Sequence, residues 1–355
     1  MKAIAKQAPT EPGIDILEVA EPAIQGPDDV LVRVGVSSIS GSELNIWRGA
    51  YRRPNGNPVE PGRILGYEHA GTVVDAGLVA VAAGFTPGRG VALGSPFTGC
   101  GICPPCAMGM INRCRNWGHV GITSHGTNAD YAVLPTGVLQ LVDDGVDPLD
   151  VAFLNSAALA VRSVDRAGLV AGDRVVVVGP GPVGLLMLQA ARAMGASWTG
   201  VVGLPSDVAR LEIAHQLGAD ATYEFGEDTV ATVRDATDGL GAEIVLEAAG
   251  SPEGMKLAVD LVRVGGTTIF AGLPPQKIAP IEAIRVTRDE ITIRGVEGNL
   301  PDDRNRALRL IAQGALRARP FVTHEFALEH AEEAFATAAS GAACKVVFRM
   351  NAAQI

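Results

Sequence analysis

The segment Arg174-Val-Val-Val-Val178 runs straight into Gly179-Pro-Gly181-Pro-Val-Gly184 and on into Leu185-Leu-Met-Leu-Gln-Ala-Ala191. Few folds accommodate that order: an apolar strand, a glycine turn and an apolar helix. In such a unit the first glycine allows the tight turn, the second admits a pyrophosphate close to the backbone, and the third lets the helix pack on the strand. The helix N-terminus then faces the phosphate charge. Strand-like and helical stretches go on alternating at 199–202, 208–217, 243–247, 252–264 and 267–271. Alternation of this kind implies right-handed crossovers and a parallel sheet. The expected fold class is α/β with a doubly wound Rossmann sheet that binds a dinucleotide through Gly179, Gly181, Pro182, Val183 and Gly184. Gly272 and Leu273, at a later strand end, complete the expected cofactor contacts.

A chain of 355 residues is long for one core, and its texture changes along its length. Up to about residue 135 it reads as short apolar segments broken by Gly and Pro, which is the pattern of a β-rich domain. The expected division is a β-rich domain over 1–152 with a cysteine lobe at about 99–115, the dinucleotide domain over 153–293, and a return to the first domain over 294–355. Net charge is −10, which argues against nucleic acid as a partner. The apolar window 175–191 is broken by Gly179, Pro180, Gly181, Pro182 and Gly184, so no membrane span is expected. Residues 1–13 lack an apolar signal core, and a reducing cytoplasm is the expected setting.

Five cysteines are too few for a disulfide scaffold, and four of them lie close together: Cys100, Cys103, Cys106 and Cys114. Glycines and prolines around them let the loop fold back on itself. Four thiolates in such a loop suit a closed tetrahedral Zn²⁺ site, which is structural because no coordination position stays open for substrate. An Fe–S cluster is the rival, but no second redox motif accompanies the lobe.

Cofactor choice turns on the end of the second strand, where a carboxylate would grip the ribose of NAD. Gly203 stands there, and Asp207 comes four residues later as helix-start charge. Without that acid a 2′-phosphate meets no repulsion, and Arg210 could reach it. NADP is therefore expected over NAD.

Taken together these pieces resemble the medium-chain dehydrogenase/reductase superfamily, in its zinc-lobe branch of alcohol and polyol dehydrogenases. Further resemblance lies in Ile64-Leu-Gly66, Glu68, Gly71-Thr-Val, Ala129-Asp-Tyr-Ala-Val-Leu-Pro135, Leu217-Gly-Ala-Asp220, Glu247-Ala-Ala-Gly250 and Thr292-Ile-Arg-Gly295. The resemblance implies a GroES-like catalytic domain built from both chain ends, a small-molecule substrate, and a homodimer or homotetramer. The departures carry more information. Where that family has Cys-Gly-Thr/Ser-Asp this chain has Ser40-Gly41-Ser42-Glu43, and Gly-His-Glu becomes Gly66-Tyr67-Glu68. The third ligand position falls in Asn155-Ser-Ala-Ala-Leu159, and the relay histidine is Asn45. Ser40, Tyr67, Glu68 and Asn155 offer one carboxylate and no thiolate or imidazole, against the preferences of Zn²⁺. His69 follows in an extended stretch and points the other way.

The expected enzyme is thus an NAD(P)-dependent oxidoreductase that works without a catalytic zinc. Hydride transfer belongs to the nicotinamide, and the protein supplies placement and charge stabilisation. Tyr67 is the candidate hydrogen-bond donor or proton source, Ser40 and Ser42 pass the proton on, and Glu68 completes the catalytic set. A conjugated C=C, C=N or C=O bond needs least help, because its developing charge delocalises. His119, His125, Trp47 and Trp117 are further residues that could reach substrate. The alternatives are a zinc-dependent alcohol or polyol dehydrogenase with atypical ligands, and a nucleotide-binding protein without turnover.

Overall fold

Alternating valines set the central strand of the first unit. In strand Asp29–Ser38, Val30, Val32, Val34 and Val36 are buried while Arg33 is exposed, so one face turns to the core. The computed structural model describes residues 1–53, 55–274 and 276–350. Around that strand forms a seven-stranded sheet in the order Leu139–Val142, Gly90–Leu93, His69–Ala76, Asp29–Ser38, Lys345–Arg349, Val322–Ala327, with Tyr131–Pro135 also pairing with Asp29–Ser38. The partner of the central strand thus comes from the far end of the sequence, with Val347 opposite Ser38 and Phe348 opposite Ser37. Its core gathers Ile4, Val32, Leu65, Leu93, Phe335 and Phe348.

The second unit carries six parallel strands in the order Ala221–Glu224, Trp198–Gly203, Arg174–Val178, Ala242–Glu247, Val262–Phe270, Thr292–Gly295. In chain order this is 3-2-1-4-5-6, with the reversal beside Arg174–Val178, the doubly wound dinucleotide arrangement. Val175, Val176 and Val177 are completely buried, as a strand covered on both faces requires.

The chain divides into one unit of Met1–Asn155, Leu300–Arg304 and Val322–Ile355 and another of Ser156–Asn299 and Asn305–Phe321. This corrects the expected single return at 294–355. The helix Pro301–Ala312 begins in the first unit, and from Asn305 onward it belongs to the second. Its amphipathic spacing signals a helix, but spacing does not say which sheet the apolar stripe covers. Among the described residues no helix is long and apolar enough to cross a membrane.

Candidate active site and metal lobe

In the second unit the glycine turn has the shape its chemistry requires. Gly179 sits at φ +102°, in the region that favours glycine, and a Cβ on Gly184 would lie 2.0 Å from the Gly179 carbonyl oxygen. Gly181 faces open space and caps helix Pro182–Ala193, with Pro182 in its first turn. The turn thus leaves room for a phosphate at the start of a twelve-residue helix. Gly203 ends its strand packed against Pro180 and Leu211, so no side chain fits there. Asp207 accepts a hydrogen bond from the Leu204 amide at 3.0 Å and lies 3.2 Å from the Arg210 guanidinium. Arg210, expected near the ribose, thus contacts the helix-start charge of Asp207. Gly272 packs on Gly250 and Glu247, while Leu273 is largely exposed.

The cysteine lobe lies in the first unit. All four sulfurs of Cys100, Cys103, Cys106 and Cys114 fall within 4.8 Å of one another. The Cys103 and Cys114 sulfurs are 3.8 Å apart. Zn–S bonds of about 2.3 Å in a tetrahedron place sulfurs about 3.8 Å apart, so the donor set fits Zn²⁺. Among the described residues this is the only cluster of three or more His, Cys, Asp or Glu donors close enough to share an ion.

Elsewhere in that unit, Ser40 begins helix Gly41–Trp47 as one half of a capping box whose other half is Glu43. The Ser40 hydroxyl donates to Glu43 Oε2 at 2.7 Å and accepts from the Glu43 amide at 3.3 Å. The Ser40 amide reaches the same carboxylate oxygen at 3.0 Å, and Asn128 Nδ2 donates to Oε1 at 2.7 Å. Ser37 in turn donates to Asn128 Oδ1. Glu43 is fully buried, and burial pushes its carboxyl up to about 7 against the Ser40 hydrogen bonds and the Lys345 charge.

Glu68 sits in a second pairing. Its Oε2 accepts from the Ser38 hydroxyl and lies 2.7 Å from Lys345 Nζ, both partners being buried. Lys345 also donates to the Ile39 carbonyl and sits over the Phe153 ring. Glu68, expected in the catalytic set, has its carboxylate paired with the Lys345 ammonium. Lys345, Ser38, Asn128 and Glu43 went unread in the sequence. Only Glu43 had a local signal, the Ser-x-x-Glu capping box.

Tyr67 lies between the two groups. Burial of its phenol and the nearby carboxylates of Glu68 and Glu43 raise its pKa above the usual tyrosine value, while side-chain hydrogen bonding from Ser40 and Ser42 works against that rise. It therefore stays protonated at any ordinary pH. The His119 ring meets Tyr67 edge-on with centroids 4.8 Å apart, and Phe97 and Trp117 close the other sides of His119. Burial lowers the His119 pKa to about 4 and that of His69 to about 3, so both rings are neutral near neutral pH. His125 takes the Ile64 amide at 3.3 Å, and Trp47 donates to Glu332 at 3.0 Å. Neither belongs to this network. Asn45 is exposed, and Asn155 is half-buried.

Comparison with known proteins places both units. Residues 26–144 match the alcohol dehydrogenase GroES-like domain, and residues 182–313 match the zinc-binding dehydrogenase domain. The sorbitol dehydrogenase of Halalkalibacterium halodurans is 30% identical over 98% of both chains. The chain belongs to the NAD(P)-dependent, zinc-type medium-chain dehydrogenase/reductase family. Among solved structures, alcohol dehydrogenase TADH from Thermus sp. ATN1 superposes with a TM-score of 0.89 at 29% identity, covering 99% of this chain and 100% of that one. A zinc-binding dehydrogenase of Sinorhizobium meliloti 1021, solved with NADP bound, gives 0.87 at 30% identity over 98% of each chain. The dehydrogenase fold is therefore present throughout the chain.

Proposed function

We propose that this dehydrogenase prefers NADP and transfers hydride to or from a small molecule without a catalytic zinc, with Tyr67 supplying the proton to oxygen. The observation that carries the reading is the donor set. Ser40 is hydrogen-bonded to Glu43, Glu68 is paired with Lys345, and the phenol of Tyr67 is buried beside both carboxylates. A hydroxyl, a phenol and a carboxamide do not suit Zn²⁺, and of the two carboxylates nearby Glu68 is paired with the Lys345 ammonium and Glu43 is held by Ser40 and Asn128.

When bound at the Gly179–Gly184 turn, the nicotinamide dinucleotide accepts or supplies the hydride. The chain's own part is to aim a donor at the oxygen on which charge develops. Tyr67 does this as a neutral phenol, Ser42 offers a second hydroxyl, and Ser40 links the phenol to the interior. Two hydrogen bonds suffice where charge is delocalised, which favours a conjugated C=C or C=N bond or an activated C=O bond over a simple ketone. The preference for NADP rests on Gly203, where Pro180 and Leu211 exclude a ribose-binding carboxylate, and on Arg210 close by. The Sinorhizobium relative solved with NADP has the same fold.

The test is a turnover screen of enones, imines, ketones and polyols with NADPH and NADH, on protein whose zinc content has been measured. The expected outcome is one zinc per chain, tighter binding of NADPH than NADH, and activity on an activated acceptor. Polyol oxidation dependent on a second zinc would overturn the reading.

A further inference from the structure

We infer that His119 selects the substrate: its Nε2 is a fixed hydrogen-bond acceptor for a hydroxyl or amine N–H borne on the carbon beside the reacting one, while Tyr67 serves the reacting oxygen. The inference deepens the reading of Tyr67 above and rests on it.

A short ribbon and a tight turn place His119, all within the first unit. It stands opposite Phe97 where Phe97–Thr98 pairs with Gly118–His119. Its amide donates to Thr123 Oγ1 at 2.7 Å, and its carbonyl takes the Ile122 and Thr123 amides at 3.1 and 2.8 Å. With the backbone held in this way, the ring has one polar anchor, the Val120 carbonyl oxygen, 2.5 Å from Nδ1. A carbonyl oxygen only accepts, so Nδ1 carries the hydrogen, and in a neutral imidazole Nε2 is then the acceptor. Tyr67 and Phe97 meet the ring edge-on at 4.8 and 5.1 Å between centroids, and Trp117 lies at 5.4 Å. Turning the ring over would give up the Nδ1 anchor.

Among the described residues no group donates to Nε2. The contrast is with His69, whose two ring nitrogens are both sealed away without partners; Nε2 of His119 is not sealed in that way. Tyr67, Phe97 and Trp117 are each half-buried, so the wall they form around His119 has an open side. An acceptor on a ring only 6% exposed is costly to leave unfilled once a ligand strips its water. A ligand with an O–H or N–H in reach satisfies it, whereas one with a methyl group there returns nothing, and that difference is how a polar site discriminates. Tyr67 donates and His119 accepts, in contact with each other. Together they suit a carbonyl compound with a hydroxyl or amino group on the neighbouring carbon. Phe97 and Trp117 offer apolar cover to the rest of it. An ether in the same place has the oxygen without the hydrogen and meets lone pair with lone pair.

The first test reads the tautomer by nuclear magnetic resonance, in the full chain with its six histidines labelled with nitrogen-15. Wild type should show His119 protonated at Nδ1 and bare at Nε2. With NADP⁺ present, so that no ketone is reduced, α-hydroxyacetophenone should shift the Nε2 resonance and α-methoxyacetophenone should not. A hydrogen on Nε2, or the same response to both ketones including none, overturns the proposal, and neither result needs a variant that folds. The second test is turnover with NADPH. Wild type should favour the hydroxy ketone over the methoxy ketone by about tenfold or more in kcat/KM, His119→Phe should bring the ratio to within about twofold, and His119→Gln, whose amide oxygen accepts, should restore part of it. A wild-type ratio near one, or a ratio unchanged in His119→Phe, overturns the selection by His119. Absence of turnover with both ketones counts against the reading of Tyr67, while the tautomer and the Nε2 response still decide the role of His119.

Discussion

Two parts of the first unit began from the same family plan and differ in what holds them. In the lobe, four cysteine sulfurs converge within 4.8 Å of one another. Around Tyr67 the side chains bind each other instead: Ser40 with Glu43, Glu43 with Asn128, Glu68 with Lys345. Carboxylates that already have protein partners leave no buried charge orphaned. The lobe has little regular structure, and its four sulfurs are spaced to share one ion.

The sharpest way to break this contrast is to remove a thiolate. Cys114→Ser should lower bound zinc from one per chain to nearly none, with loss of a local binding free energy on the order of 10 kcal/mol, read by elemental analysis and calorimetry. Two zinc ions in wild type would end the comparison. Next in size, Lys345→Met leaves the Glu68 carboxylate buried without its cation and should destabilise the protein by about 3–5 kcal/mol in denaturant titration. Tyr67→Phe should reduce kcat by about 10²–10³, equivalent to about 2.7–4 kcal/mol, with little change in melting temperature. If turnover stays within about twofold, the phenol only fills space.

The pH dependence has a defined sign. Glu43 holds its proton to about 7 in the folded chain against an ordinary value of 4.5, so the folded state binds more protons than the unfolded one between those limits. Its contribution therefore falls as pH rises through that window, by roughly 1–3 kcal/mol. His69 and His119, neutral when folded but protonated below about 6.5 when unfolded, contribute the opposite slope, so Glu43→Gln should make the melting temperature rise more steeply with pH through this window than it does in wild type. The smallest expected effect is at Arg210, whose partner Asp207 already screens it: Arg210→Ala should weaken NADPH binding by about 1 kcal/mol or less and leave NADH unchanged, measured by fluorescence titration.

The two regions were also unequally legible in the sequence. Cys100 to Cys114 and Gly179 to Gly184 are local in the chain, and their spacing alone dictates chemistry. The hydroxyl of Ser40 and the phenol of Tyr67 could be read as missing metal ligands. That the carboxylates had found other partners could not, since Lys345 lies 277 residues beyond Glu68 and Asn128 lies 85 beyond Glu43. Neither pairing leaves a periodicity or motif. The split of the helix Pro301–Ala312 at Arg304 and Asn305 was hidden for a related reason: an apolar stripe specifies a helix face, and only tertiary packing names its partner.

The antiparallel seam between Asp29–Ser38 and Lys345–Arg349 also bears on synthesis at the ribosome. The chain emerges from its N-terminus, so the first 155 residues leave the exit tunnel with their central strand lacking one neighbour and Glu68 lacking its ammonium. Ser156–Asn299 is continuous except for the returning helix, and it completes nearly all of its parallel sheet earlier. The sheet of the first unit can therefore be completed only once its last strand has been made, whereas all six strands of the second unit are present by Gly295.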